Sequence, residues 1–160
     1  MATMTSPGVD VVEFLEEQHE QVKALLERVS STNGEERKRS FDELVQLLEA
    51  HEAAEEQIVH PLARRKLDGG PVIIRAREEE EAQAKKALKH LATLDVDSFE
   101  FEEEFEELSR AVLRHAASEE QMEFQRLADI LDYGKLVKMR KDAERVEAKQ
   151  NHKPPEKRSH

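Results

Sequence analysis

The chain contains no cysteine, and this absence excludes disulfide bonds, thiolate catalysis and cysteine-bound zinc or iron–sulfur centres. Tryptophan is also absent, and aromatic residues make up only 4% of the 160 residues. Such a composition is poor in strand-forming residues and favours long helices. We therefore expect an all-α fold in which histidine and carboxylate side chains are the only strong metal ligands.

Long hydrophobic runs are missing as well. No segment approaches the roughly 20 apolar residues that span a membrane, and residues 1–12 lack the basic and apolar regions of a signal peptide. The net charge of −11 disfavours nucleic-acid binding. We expect a cytoplasmic protein, a monomer or weak homo-oligomer, with neither nucleic acid nor a membrane as partner.

Clusters of Ser, Asn, Asp, Gly and Pro divide the chain into helical segments of about 20 to 35 residues joined by short loops. This pattern predicts an antiparallel up-down four-helix bundle as one domain over residues 1–134. Residues 135–160 carry nine Lys/Arg and four Asp/Glu, and we expect a short basic helix and a disordered tail there. The four bundle helices are predicted at 10–30, 36–66, 72–94 and 98–132.

Two helix starts have the spacing of a capping box, in which a side chain satisfies free N–H groups of the first turn. Asp10 is followed three residues later by Glu13, and Asp97 is followed by Glu100. The first and fourth helices are therefore expected to begin at these aspartates.

Apolar residues recur every three or four positions along the predicted helices, but histidines and glutamates interrupt these stripes. On the second and fourth helices a histidine is followed four residues later by a glutamate, so both face inward one turn apart. The fourth stripe then continues to Met122. The interrupting residues are His19 on the first helix, His51 and Glu55 on the second, and His115 and Glu119 on the fourth.

The third helix is less regular. Tracing its stripe back from Leu91 leads to Glu81, with Glu78 as a rival and Arg77 as the only basic residue on any stripe. An ionised carboxylate buried without compensation costs several kcal/mol, so a group of them needs a positive partner. Metal ions bound by imidazole and carboxylate from facing helices provide that partner.

The two halves of the chain align with each other. His19–Lys23 corresponds to Glu81–Lys85, and His51–Glu56 corresponds to His115–Glu120. With an inward His and repeated His-x-x-x-Glu-Glu motifs, the sequence resembles the hemerythrin HHE cation-binding family over about residues 10–132. Val59-His60-Pro61-Leu62 also matches, because the family often has an aromatic residue or His before this Pro. The family has a histidine where this chain has Glu81.

The resemblance implies an oxo- or hydroxo-bridged pair of iron ions, with His19, His51 and His115 as terminal ligands and Glu55 and Glu119 as bridges. The stripe and the repeat, rather than the resemblance, add Glu81 as a sixth ligand and as a candidate catalytic residue that moves protons. Manganese and zinc are the alternative metals. His60 is expected to pack or support, and Glu56 and Glu120 to support the ligands or face solvent.

Known members of the family imply reactions with hydrogen peroxide, as in a catalase, or with nitric oxide or O2. Replacing an imidazole by the anionic Glu81 favours the ferric state and makes reversible oxygen carriage a weaker prediction. The alternative functions are a non-enzymatic module that binds or senses oxygen or iron, and a purely structural bundle without metal.

Overall fold

The protein is described here by a computed structural model that covers residues 8–152. Over these residues it is all-helical, without strands, as the composition predicts, and none of its helices is long and apolar enough to cross a membrane. The α-helices are α1 (Val11–Ser31), α2 (Gly34–Ala54), α3 (His60–Lys66), α4 (Gly70–Leu91), α5 (Phe99–Glu119), α6 (Gln125–Ile130) and α7 (Tyr133–Asn151).

Two π-helical turns join pairs of these α-helices into longer continuous helices, and each continuous helix is called a rod below. Glu55–Val59 joins α2 to α3, and Glu120–Phe124 joins α5 to α6. The chain thus has rods at α1, α2–α3, α4 and α5–α6, close to the four predicted helices and consistent with a four-helix bundle. The antiparallel order of these rods stays a prediction.

The helix starts follow from local hydrogen bonding. Asp10 caps α1 as predicted, because its carboxylate accepts a hydrogen bond from the Glu13 backbone N–H at 2.9 Å. The predicted cap at Asp97 is wrong by one residue: Ser98 caps α5 and accepts from the Phe101 N–H at 3.1 Å. Asp97 instead accepts from the backbone N–H of Gly34 at 2.9 Å and so ties the start of α2 to the loop before α5.

The turn between α3 and α4 requires two glycines. Gly69 has a φ of 72°, in the left-handed region that side chains disfavour. A Cβ on Gly70 would lie 2.5 Å from the carbonyl oxygens of Ala63 and Arg64, so only glycine fits at this close approach. These two glycines therefore allow the tight turn that brings the start of α4 against the end of α3.

Two apolar clusters fill the interior. One cluster contains Phe41, Phe101 and Phe105, whose rings pack at centroid distances of 5.5 to 6.3 Å. The other contains Leu15, Phe124 and the inward residues of α3 and α7. Along each rod, the histidines and glutamates of the stripes lie between members of these two clusters. A polar layer is thus enclosed by apolar packing on both sides.

The π-helical turns change which residues face inward. In a π-helical turn each backbone hydrogen bond spans five residues instead of four. The side chains that follow are therefore rotated relative to the α-helical stripe. The inward position predicted for Met122 is therefore wrong, because its side chain is 47% exposed. Glu123 and Phe124 are buried in its place.

The C-terminal helix α7 packs on α1 and α2. Asp132 caps it by accepting from the Lys135 N–H at 2.8 Å, and Leu136, Met139 and Ala143 join the same apolar cluster as Leu15. The helix therefore shares core residues with the bundle. The predicted disordered tail, apart from the first residues after α7, lies outside the described residues.

Candidate metal centre

The polar layer contains every histidine and glutamate that the sequence predicts as a metal ligand. Glu55 and Glu119 are fully buried, His19, His51 and Glu81 are nearly so, and His115 is 18% exposed. Glu78, the rival to Glu81, is exposed and pairs with Arg64 at 3.0 Å. The geometry thus favours Glu81 as the inward carboxylate of α4.

Oxygen acceptors hold the outer nitrogen of each of the three predicted histidine ligands. His19 Nδ1 lies 2.7 Å from Glu120 Oε2, His51 Nδ1 lies 2.8 Å from Gln18 Oε1, and His115 Nδ1 lies 2.7 Å from Glu80 Oε1. Since these oxygens accept hydrogen bonds, Nδ1 carries the proton in each ring. Nε2 is then the nitrogen on the inner side, where a metal would displace any proton it carries, as in histidines that bind metals.

The inner nitrogens converge on the shared glutamates. His19 Nε2 lies 3.1 Å from Glu119 Oε1 and 3.2 Å from His51 Nε2. His51 Nε2 is 3.2 Å from Glu55 Oε2, and His115 Nε2 is 3.6 Å from Glu119 Oε2. Imidazole nitrogens and carboxylate oxygens from several helices, all possible metal ligands, therefore converge on one small volume.

Three sets of these side chains have donor atoms that all lie within 4.8 Å of one another. Neighbouring sets share glutamates, and Glu119 belongs to all three. Such sharing suits carboxylates that bridge two cations. The sets are His19, His51, Glu55 and Glu119; Glu55, Glu81, His115 and Glu119; and His60, Glu119 and Glu123.

The hydrogen bonding of the buried carboxylates tests whether a cation fits this layer. In this layer, both carboxylate oxygens of Glu55 and one oxygen each of Glu81, Glu119 and Glu123 are buried and receive no hydrogen bond from the described part of the chain. Unsatisfied buried carboxylate oxygens are rare in proteins because each loses its hydration without replacement. The residues present therefore fit a site for metal cations.

The raised pKa of Glu55 reflects the same shortage of positive charge, whereas the pKa of Glu119 is lowered. Burial, and then the charge of Glu119, raises the pKa of Glu55 well above its usual range. Burial opposes ionisation of Glu119 too, but its interactions with Glu55, His19 and His51 outweigh burial and hold the pKa of Glu119 well below its usual range. Two buried carboxylates in contact thus oppose each other's ionisation when no cation is bound.

Sequence reasoning placed His60 outside the ligand set and missed Glu123. His60 is buried, with Nε2 3.1 Å from Glu81 Oε2 and Nδ1 2.8 Å from Glu123 Oε2. Burial lowers the pKa of His60, but the two carboxylates outweigh that effect and raise the pKa to about 10. His60 is therefore an imidazolium between Glu81 and Glu123 when no metal is bound. The sequence does contain a signal: the apolar Phe124 follows Glu119 by five residues, whereas an α-helical stripe advances by three or four, and such a step is expected across a π-helical turn.

The remaining predicted side chains lie outside the layer or at its edge. Glu56 is exposed, whereas Glu120 is half-buried against His19. Arg77 is buried, with Nε 3.1 Å from Glu80 Oε1. A separate set of His90, Glu100 and Glu104 is on the surface and solvent-exposed.

A cavity of about 640 Å³ opens onto the layer between α4 and α5. At its inner end lie His19, His51, Glu55, Glu81 and His115, and at its outer end lie charged residues such as Lys86 and Glu104. Much of its wall is apolar, formed by Leu48, Ala84, Ala87, Leu108 and Val112. The small alanine side chains keep this gap open. Small molecules thus have a path to the donors.

The model of the hemerythrin HHE cation-binding domain family matches residues 10–127, which includes all of these motifs. The chain belongs to this family. A solved structure with a similar fold is that of a hemerythrin HHE cation binding domain-containing protein from Mycobacterium kansasii. It has 22% sequence identity, covers 89% of this chain and 88% of its own, and superposes with a TM-score of 0.74. No curated protein was found to match the chain.

Family membership agrees with the fit of the polar layer to cations. The family description names cation binding, and the layer combines clustered His and Glu side chains with buried carboxylate oxygens that lack a hydrogen-bond partner. The chain is therefore a hemerythrin-like, metal-binding helical protein.

Proposed function

We propose that the polar layer holds two iron ions and that the protein reacts with hydrogen peroxide in a catalase-like manner, with nitric oxide and O2 as further ligands. The observation that carries this proposal is the group of buried carboxylate oxygens without N–H partners that faces three inward imidazoles. His19, His51 and His115 would be terminal ligands, Glu55 and Glu119 bridges, and Glu81 a further ligand.

The donor set suits iron. Imidazole nitrogen suits iron, zinc and copper, while carboxylate oxygen suits hard cations, so a mixed set favours iron or manganese. Three of the proposed ligands are carboxylates, and their negative charge stabilises the ferric state. Zinc and manganese remain alternatives that elemental analysis distinguishes.

The cavity supports a small substrate. Its mostly apolar wall leads from charged residues at the surface to His115 and Glu81, and Ala84 and Ala87 leave room beside α4. Peroxide, nitric oxide and O2 are small enough for such a gap. The apolar wall lowers the polarity beside these side chains, which strengthens electrostatic interactions there.

In catalase-like dismutation, two molecules of hydrogen peroxide give two of water and one of O2, so one peroxide is oxidised while the other is reduced. Iron held in the layer would supply the exchange of two electrons between them. The chain supplies proton transfer. Burial, and then the charge of Glu81, raises the pKa of Glu52 to about 8, so its carboxyl group holds a proton at neutral pH beside the cavity. We propose that Glu52 and Glu81 donate and accept protons at their carboxyl oxygens.

The test combines metal content with turnover. Purified protein is analysed for metals, its near-ultraviolet absorption is recorded, and oxygen release from peroxide is followed with an electrode. We expect about two iron ions per chain and rapid oxygen release. Glu55→Ala should lose both, whereas Glu56→Ala, at the exposed neighbouring position, should keep both.

Two results would contradict the proposal at different levels. Iron-loaded protein that releases no oxygen would exclude the catalase-like reaction, and a stable oxygenated form would then indicate a binding or sensing module. Protein that takes up no metal, with an unfolding temperature unaffected by chelators, would exclude the metal centre itself.

A further inference from the structure

The C-terminal helix α7 lies outside the residues that match the family model, yet one of its side chains connects to the metal centre. Glu147 is only 8% exposed, and its Oε1 accepts a hydrogen bond from Gln18 Nε2 at 2.6 Å. Gln18 Oε1 in turn accepts from His51 Nδ1 at 2.8 Å. A chain of two buried hydrogen bonds thus joins α7 to a proposed metal ligand.

The direction of this chain is set by Glu147. An amide side chain can rotate so that its oxygen and nitrogen exchange places, but an ionised carboxylate only accepts hydrogen bonds. Glu147 therefore holds the NH2 group of Gln18 toward α7 and the carbonyl oxygen toward His51. His51 must then donate from Nδ1, which leaves the Nε2 lone pair on the side of Glu55 and Glu119.

His51 differs in this respect from the other two imidazoles. His19 and His115 bond directly to carboxylates, Glu120 and Glu80, and a carboxylate fixes the protonated nitrogen without assistance. His51 bonds to an amide, which accepts or donates equally well according to its orientation. It is also almost fully buried, so water does not replace the contact.

We propose that Glu147 is a positioning residue for the metal centre, which fixes the orientation of Gln18 and through it the metal-binding form of His51. This inference rests on the metal centre proposed above. Partners of metal-bound histidines typically change metal affinity 10–100-fold when they are removed. The same range is expected for Glu147, although it lies one residue further from the metal.

The test uses zinc, which is diamagnetic, in protein labelled with ¹⁵N at histidine. Measurements at pH 8 keep Glu147 mostly ionised, since burial raises the pKa of this carboxyl group to about 7. In Glu147→Gln, the Nδ1–H resonance of His51 should shift while those of His19 and His115 stay in place. Zinc affinity, measured by competition with a chelator, should fall by a factor of about 10 or more.

Two further variants separate positioning from simple packing. Glu144→Gln removes a carboxylate one turn away on the same helix, which pairs with Arg140, and should leave the His51 resonance and zinc affinity unchanged. Gln18→Met removes the relay itself and should weaken zinc binding as Glu147→Gln does. In the Gln18→Met background, Glu147→Gln should have no further effect on affinity.

Each contrary result has one meaning. A folded Glu147→Gln protein with the wild-type resonance and zinc affinity overturns the positioning role. So does an undiminished effect of Glu147→Gln in the Gln18→Met background, because Glu147 would then act without the relay. If Glu147→Gln does not fold, a wild-type zinc affinity in Gln18→Met overturns the proposal instead. Wild-type protein that binds neither zinc nor iron overturns the metal centre and this inference together.

Discussion

The two halves of the internal repeat have nearly the same helical backbone, but they differ in how many imidazoles and carboxylates they contribute to the polar layer. In the first half, three of the four histidines and glutamates of the polar layer are imidazoles; in the second half, three of the four are carboxylates. Both halves have a His-x-x-x-Glu pair followed by a π-helical turn. The first set is His19, His51, Glu55 and His60, and the second is Glu81, His115, Glu119 and Glu123.

This difference means that the two proposed cation positions are unequal. The set around His19 and His51 has two nitrogen donors, whereas the set around Glu81 and His115 has one nitrogen donor. A position richer in carboxylate favours a higher positive charge on its metal. The repeat thus produces an asymmetric centre, and substitutions that make the halves more alike test the role of each residue.

The largest effect is expected at Glu119, the residue that all three sets share. Glu119→Ala should abolish metal uptake, because it removes the carboxylate that would bridge both positions. Metal content is measured after loading and desalting. Glu103→Ala, at an exposed position of the same helix, should bind like wild type. Wild-type metal content in Glu119→Ala would show that the sets do not act as one centre.

The next largest effect concerns His60, whose equivalent position in the second half is Phe124. His60→Phe leaves Glu81 and Glu123 without their imidazolium and should destabilise metal-free protein by about 3–5 kcal/mol at pH 6.5, as expected for a broken buried pair. Urea unfolding measures this. His90→Phe, an exposed histidine, should stay within about 0.5 kcal/mol of wild type.

The pH dependence of that difference has a definite sign. The pKa of His60 is raised from 6.5 to about 10 in the folded protein by Glu123 and Glu81, despite burial. A histidine with a raised pKa stabilises fully below the unfolded value and loses this contribution as pH rises through the folded value. The gap between wild type and His60→Phe should therefore shrink between pH 6.5 and 10. A constant gap would show that His60 contributes packing alone.

The apolar stripes correctly predicted which residues face inward up to Glu55 and Glu119, but they failed beyond these two residues. Up to these residues an α-helix keeps a period of 3.6, so residues three and four apart share a face. Each π-helical turn then interrupts the period, which is why Met122 was wrongly placed inward, Glu123 was missed and His60 was underrated. The link from Gln18 to Glu147 spans 129 residues, and no local pattern indicates such a contact.

A smaller effect is expected at Glu52, where the second half of the repeat has Ala116. Burial, and then the charge of Glu81, raises the pKa of Glu52 from 4.5 to about 8. The folded protein therefore holds a proton that the unfolded chain releases between these values, and stability falls as pH rises through this window. Metal-free Glu52→Gln should match wild type near pH 4 and exceed it by on the order of 2 kcal/mol near pH 8.5. Parallel stability curves for the two proteins would contradict the raised pKa.

The smallest effect compares Glu56 with Glu120, identical residues at equivalent positions of the two motifs. Glu120 accepts a hydrogen bond from His19 Nδ1 at 2.7 Å, whereas Glu56 is exposed. Glu120→Gln keeps an acceptor oxygen but loses the charge that makes His19 a stronger donor to metal, so metal affinity should fall about tenfold. Glu56→Gln should change nothing in the same chelator competition. Equal affinities for the two variants would mean that the half-buried contact between Glu120 and His19 does not support the metal centre. Neither motif glutamate would then contribute to metal affinity.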